Sequence, residues 1–405
     1  MNVYIFYIYR IFSRMYFHVI ILFIFLYQVG FGLFYSSVLI SIYGLVISFS
    51  AIASSALRHR LSYKPALVFG EICKFTGVYL IILGTEQAGV NFVTVALGQA
   101  LGGLGFGFCI SRDTEIMTGD KSVTESGRLA AILSNSQGLM FVSTFLSGFA
   151  GAVLYAHDEH LPFYASVFAG IATTLILLLF IDGGRRGETA GGRGSAGETP
   201  AVSAAVNDRK TLFWTSYYAI VRSLSLAPFL CFLPFYFIQL MMDPYLFGIL
   251  LSLYSLCAFL SALRYGRLVA LFGLSITYAI MTGAMILSFL LFWFTIVNPE
   301  YFTEILYPLI VATALFGFGS GSVRPISLEN LGLGAMDPAD RVYVLSRMEI
   351  LFGIINTVFI ITGASVIIAF GLGDLLQFIT LLMIAVTLVG WINMNRFANQ
   401  AAAES

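Results

Sequence analysis

Four basic residues stand inside otherwise apolar sequence: Arg10, Arg14 and His18, each four positions from the next, and Arg222, which follows Arg10 by 212 positions in a second copy of the same pattern. An arginine at the middle of a membrane-spanning helix costs roughly 2.5–3.5 kcal/mol on insertion scales, so it faces a protein interior or a water-filled path. A guanidinium held there offers a planar fork of donors matched to a carboxylate or phosphate, which is the chemistry of anion capture. A spacing of four places residues 10, 14 and 18 along one stripe of a 3.6-residue helix. Arg10 lies roughly 10 Å from the expected start of its helix, within snorkelling reach of the headgroups. Arg14 and His18 are deeper and are expected to face a cavity, and Tyr218 and Ser225 make the face around Arg222 polar as well.

The elements that must position these residues follow from composition. The chain is 59% hydrophobic and 10% charged, with 38 Phe and 21 Tyr among 405 residues, a balance that excludes an ordinary soluble domain. Its formal net charge is zero and its basic residues form no single solvated patch, so nothing points to nucleic acid. Cys73, Cys109, Cys231 and Cys257 sit in apolar runs without metal-ligand spacing and read as small buried hydrophobes. Hydropathy predicts twelve spans, near 3–26, 33–56, 66–84, 90–112, 129–154, 161–181, 212–239, 245–265, 271–295, 304–325, 342–369 and 373–395. The first lacks a clean small-residue cleavage site and reads as mature structure.

Loop charge sets the expected orientation. Arg58, Arg60, Lys64, Lys121, Arg128, Arg185, Arg186, Arg193, Arg209, Lys210, Arg267, Arg341 and Arg396 fall on one side. The opposite loops carry Glu86, Asp158, Glu159, Asp243 and Glu300 without Lys or Arg. Positive residues are retained in the cytoplasm, so both termini are expected there, in a multi-pass protein of the cell's inner membrane. Residues 182–211, with GGRRGETAGGRGSAGETPA at their heart, read as a flexible linker. It separates a six-helix bundle over 1–181 from a second over 212–395, followed by a tail over 396–405. VLISIYGL at 38–45 answers ILLSLYSL at 249–256, and GFGFCISR at 105–112 answers GFGSGSVR at 317–324. The nearly equal offsets argue for duplication, and six helices per unit make the repeats parallel.

On these features the chain resembles the major facilitator superfamily, in particular its drug:proton antiporters. That superfamily's Gly-x-Leu-x-Asp-x-x-Gly-Arg-Lys signature survives in outline as Ser55, Leu57, His59, Ser62, Tyr63 and Lys64, without its glycines and acid. In the second half Gly266, Leu268 and Gly273 match, with Ala270 at the acid position. The antiporter Gly-Pro-x-Gly appears as Gly148, Phe149, Ala150 and Gly151. The resemblance implies an all-α integral membrane fold of twelve helices. It also implies that the first and seventh helices line a central cavity, with an arginine on each to clamp an anion as in the superfamily's organophosphate antiporters. Arg112, Asp113 and Glu115 at the end of the fourth helix, and Arg324 and Glu329 at that of the tenth, are expected to form gate ion pairs.

Other charges are expected to serve proton coupling or structure. Glu71 and Lys74 are three apart on the third helix and can neutralise one another across a turn. Glu349, beside Arg347 on the eleventh, is the better proton carrier, or else half of a satisfied ion pair. The glycines of GGLGFGF and GFGSGS lack a following Lys-Ser and are expected to allow close helix packing. His157, Asp158, Glu159 and His160 read as a solvated turn, and no metal, cofactor or catalytic constellation is expected. The reading is a secondary transporter, monomeric, exporting a small anionic or zwitterionic metabolite by alternating access in exchange for protons. An uptake permease or anion exchanger is the alternative within transport. A non-transporting receptor or scaffold is the alternative outside it, disfavoured by the buried arginines.

Overall fold

The computed structural model describes residues 3–57, 60–86, 89–113, 115–118, 129–181, 208–298, 306–332 and 338–404, and all regular structure in them is helical. Of the expected linker over 182–211, residues 182–207, with Arg185, Arg186 and Arg193, lie outside the described residues, as do Arg58, Lys121, Arg128 and Glu300; its end is not linker, because helix begins at Arg209. The chain divides into two compact units, Met1–Ala201 and Val202–Ser405.

The first unit contains α1 (Val3–Phe12), α2 (Leu22–Leu26), α3 (Gly32–Ala56), α4 (Tyr63–Glu86), α5 (Phe92–Arg112), the single turn α6 (Glu115–Thr118), α7 (Leu129–His157) and α8 (Leu161–Phe180). A π-helical turn, Tyr27–Phe31, joins α2 to α3, and Gly30 and Gly32 take positive φ of 107° and 66° there. Asn91 starts α5 by accepting the Val93 and Thr94 amides at 3.0 and 3.2 Å. Helices in lipid associate through van der Waals contact, which small residues bring close. The glycines of α5 do this on two sides. A methyl on Gly103 would meet the Tyr43 carbonyl of α3 at 2.6 Å, and one on Gly77 of α4 would meet the Gly98 carbonyl of α5 at 2.5 Å.

The second unit contains α9 (Arg209–Ala227), a π-helical turn (Pro228–Phe232), α10 (Leu233–Gln239), α11 (Pro244–Val297), α12 (Leu306–Gly321), α13 (Val323–Leu331), α14 (Pro338–Phe370) and α15 (Leu372–Glu404). Gly317 and Gly321 of α12 press on the Tyr254 and Ala258 carbonyls, and a methyl on Gly319 would meet the Met281 carbonyl at 2.5 Å. Both glycine-rich segments thus serve packing.

Among the described residues, ten helical stretches are long and apolar enough to cross a membrane. One of them, Tyr245–Val297, holds 53 residues. At 1.5 Å per residue it would run about 80 Å, far beyond the roughly 30 Å of hydrocarbon. The sequence predicts two spans there, and the backbone turns at Gly273, with φ 77° and ψ 164°.

The first span departs from expectation. The sequence predicts one helix over 3–26, but α1 ends at Phe12 and helix resumes only at Leu22. The single stripe of residues 10, 14 and 18 therefore does not exist: Arg10 is helical, whereas Arg14 and His18 lie in the break. Backbone polar groups freed inside a membrane protein need partners within it. Here they have them. Ser143 Oγ donates to the Ile11 carbonyl at 2.7 Å, and Lys74 Nζ to the Ser13 carbonyl at 3.1 Å. The Met15 amide reaches the Phe12 carbonyl at 3.1 Å, and Ser13 Oγ reaches that of Arg10 at 3.2 Å.

Candidate functional site

The break in the first span gathers the charges of the first unit. Arg10 leaves the last turn of α1, where a cation also meets the negative end of the helix dipole, and its guanidinium pairs with Asp113, just past the end of α5. Arg14 reaches the same carboxylate only at 3.5 Å, and its guanidinium carbon stands 4.5 Å from the centroid of the Phe106 ring. Arg14 is thus a partly committed cation: 7% exposed, loosely paired, resting on a ring face, with its Nε unpartnered. The sequence offers no partner for Arg14, and the structure supplies one in Asp113, 99 residues away.

Lys74 is placed beside it. Its ammonium lies 2.7 Å from Glu71 Oε2 and 5.3 Å from the Tyr16 ring centroid, and Cys109 Sγ donates to Glu71 Oε1 at 3.4 Å. The expected pairing of Glu71 with Lys74 is therefore present, and Glu71 is wholly buried. Among the described residues around the break, Arg10, Arg14 and Lys74 face Glu71 and Asp113, three cations against two carboxylates. Arg112 lies outside this balance: it pairs with Glu115 at 3.2 Å and donates twice to the Leu61 carbonyl at 3.1 Å. His18 faces another way, its Nδ1 2.8 Å from Ser166 Oγ and its ring 5.4 Å from that of Phe163.

In the second unit Arg222 sits within a continuous helix, so its surroundings are not a copy of the broken segment. Its guanidinium carbon lies 5.4 Å from the Tyr218 ring centroid and 4.8 Å from that of Phe352. It makes no ion pair among the described residues. Desolvated cation–π contacts of this kind are worth about 2 kcal/mol or more, and Tyr218 also hydrogen-bonds the guanidinium, with Glu349 within electrostatic reach. Glu349 accepts from the Tyr218 hydroxyl at 3.1 Å and lies 3.5 Å from Arg324. The sequence pairs Glu349 with Arg347, but the ion pair is with Arg324, 25 residues earlier on another helix. Glu329 is held by the Tyr265 hydroxyl, and Arg347 makes no ion pair among the described residues.

Sequence reasoning missed the aromatic floor of both clusters: Phe106, Tyr16 and Tyr43 in the first unit, Phe352 and Tyr254 in the second. One signal was available, because Tyr43 and Tyr254 occupy matching places in the repeated octapeptides. Tyr254 stacks on Phe229 at 4.2 Å and accepts from Ser320 at 2.8 Å.

No family model matches the sequence, and no curated protein matches it. Solved structures do. The chain superposes on the nucleoside transporter NupG with a TM-score of 0.78 and 11% identity, over 97% of this chain and 99% of that one. The POT family transporter PepTSo gives 0.77 and 12% over 98% of each. A bacterial homologue of the iron transporter ferroportin, in an inward-facing state, gives 0.64 and 13% over 96% and 98%. These are carriers of nucleosides, peptides and metal, and they do not single out the drug:proton antiporters. At such identities the likeness shows the fold alone, an all-α fold of many long apolar helices shared with these structures.

Proposed function

We propose that this chain is a proton-coupled secondary transporter that carries a small anionic or zwitterionic metabolite by alternating access. It works as a monomer with twelve crossings in two parallel six-helix repeats. The broken first span supplies one crossing, and α11 supplies two around Gly273. Arg14 and Arg222 hold the anion. The observation that carries the reading is the surplus of positive charge around the break, with Arg14 its least committed member. In a low-dielectric interior an unbalanced charge attracts a counter-ion strongly.

Export by proton exchange is the first expectation from sequence. One observation favours the alternative of uptake. Glu71 lies in the same cluster as Arg14, so adding a proton there raises the local positive charge and favours an anion. Proton and anion then travel together.

The test is flux in liposomes reconstituted with the full chain and loaded with a pH-sensitive dye. The probes are inorganic phosphate, small carboxylates, phosphate monoesters and amino acids, set against neutral nucleosides and amines. An anionic or zwitterionic probe should move protons across the membrane, and Arg14→Gln should abolish that signal. Proton-linked flux of neutral nucleosides or amines alone would overturn the anion assignment.

A further inference from the structure

Two carboxylates stand near the break: Asp113 pairs with the arginines, and Glu71 pairs with Lys74 instead. Glu71 is wholly buried on α4, and α1, the break, α3 and α5 each bring a polar or charged group near it or its partner. Lys74 comes from its own helix and Cys109 from α5. Tyr9 of α1 and Tyr43 of α3 lie within electrostatic reach of it. Tyr16 and Arg14, from the break itself, act on Lys74. The Tyr9 hydroxyl is fully buried and has no hydrogen-bond partner among the described residues. Glu349, the carrier favoured from sequence, is about one-third exposed and is tied to Arg324, away from any break in its helix.

Lys74 is the mechanical link. Its ammonium donates to Glu71 Oε1 at 2.8 Å and to the Ser13 carbonyl at 3.1 Å, so one cation bridges the buried carboxylate and the backbone on which Arg14 is carried. We infer that Glu71 is the proton-binding site of the coupling reaction, and that Lys74 relays its protonation state to residues 13–21. This assignment rests on the transporter reading above and names the residue that performs its coupling. The step is a single proton transfer: Glu71 gains an O–H bond at the expense of a water-borne proton, and Lys74 stays an ammonium. Lys74 then loses its counter-charge, the cluster becomes more positive by one unit, and the ammonium is drawn toward an incoming anion. The Ser13 carbonyl is released, and the segment bearing Arg14 loosens. Lys74 is a positioning residue, acting through the backbone.

The experiment needs no substrate, so its failure is distinguishable from failure of the anion reading. Hydrogen exchange of peptides covering residues 13–21 is measured on the full chain in detergent across acidic to alkaline buffers, corrected for intrinsic rates. Dicyclohexylcarbodiimide, which attacks protonated carboxyls in apolar surroundings, reports the state of Glu71 in the same samples. Carbodiimide adducts at Glu71 should rise on acidification, and exchange over 13–21 should quicken about tenfold with the same midpoint, the change that corresponds to one pH unit of linkage. Glu71→Gln, which keeps an acceptor for Lys74, should make exchange independent of pH. Lys74→Arg keeps the ion pair and should retain the response with a shifted midpoint, which guards against misfolding of the Gln variant. Exchange over 13–21 that ignores or slows with acid in the native chain would overturn the assignment. So would an unchanged response in Glu71→Gln.

Discussion

Lys74 Nζ donates a 3.1 Å hydrogen bond to the carbonyl of Ser13, the first residue beyond α1, although 61 positions separate the two in the chain. That contact, with Ser143 Oγ on the Ile11 carbonyl, lets α1 stop at Phe12 without leaving those carbonyls unpaired. The result is a non-helical stretch of turns that carries Arg14 beside the Phe106 ring.

Arg10 and Arg14 share Asp113 unequally, and their substitutions should separate. Arg10→Gln leaves Asp113 with one partner at 3.5 Å and should destabilise the protein by roughly 3–5 kcal/mol, as breaking a buried pair does. Arg14→Gln keeps the tighter pair and should fold nearly normally while losing anion flux, and Arg14→Lys should rescue it poorly because a point charge lacks the bidentate fork. Melting temperature in detergent alongside flux in liposomes tests the contrast. Equal thermal losses would show that the two arginines are interchangeable.

Arg222 owes its position to rings instead of carboxylates. Phe352→Leu removes one face of its cradle and should weaken anion binding by about 1–2 kcal/mol, or roughly tenfold in apparent affinity, without preventing insertion. Arg222→Gln should abolish flux of an anionic probe. Full flux of such a probe in the double variant Arg14→Gln, Arg222→Gln would remove both residues from the substrate site.

The glycines make opposite demands at different places. Gly77→Ala puts a methyl 2.5 Å from the Gly98 carbonyl and 2.6 Å from the Gly102 amide nitrogen, so α4 and α5 must separate, at a cost of about 1–3 kcal/mol. Gly283→Ala meets nothing within 4 Å and should be tolerated or slightly stabilising. Thermal unfolding of the two variants in the same detergent ranks them, and a larger loss at Gly283 would contradict the packing described.

Orientation is open to direct chemistry. Cysteines placed at positions 88 and 300 should react with an impermeant thiol reagent from outside, and one at position 190 should not. The native thiols interfere little: Cys73, Cys109 and Cys231 are buried and Cys257 is half-buried. Labelling of position 190 in intact cells would reverse the positive-inside assignment.

What the sequence determined by itself was set by quantities that are local or periodic. The long apolar runs had to become membrane helices, because runs of about 20 residues are too long for barrel strands and a helix satisfies its peptide groups within one segment. The glycines of GGLGFGF and GFGSGS were legible as contact surfaces from residue size alone. The charges at 10, 14, 71, 74 and 222 were legible as expensive and therefore purposeful. The break at residues 13–21 was not. Nothing in IFSRMYFHVI at 11–20 terminates a helix, since it contains neither proline nor glycine. The helix ends there because Lys74 and Ser143, from two other helices, satisfy its last carbonyls. The same holds for the partners: Asp113 meets Arg10 across 103 positions, and Phe352 meets Arg222 from a different helix. Pairings at such separations carry no local signature, and only tertiary packing decides them.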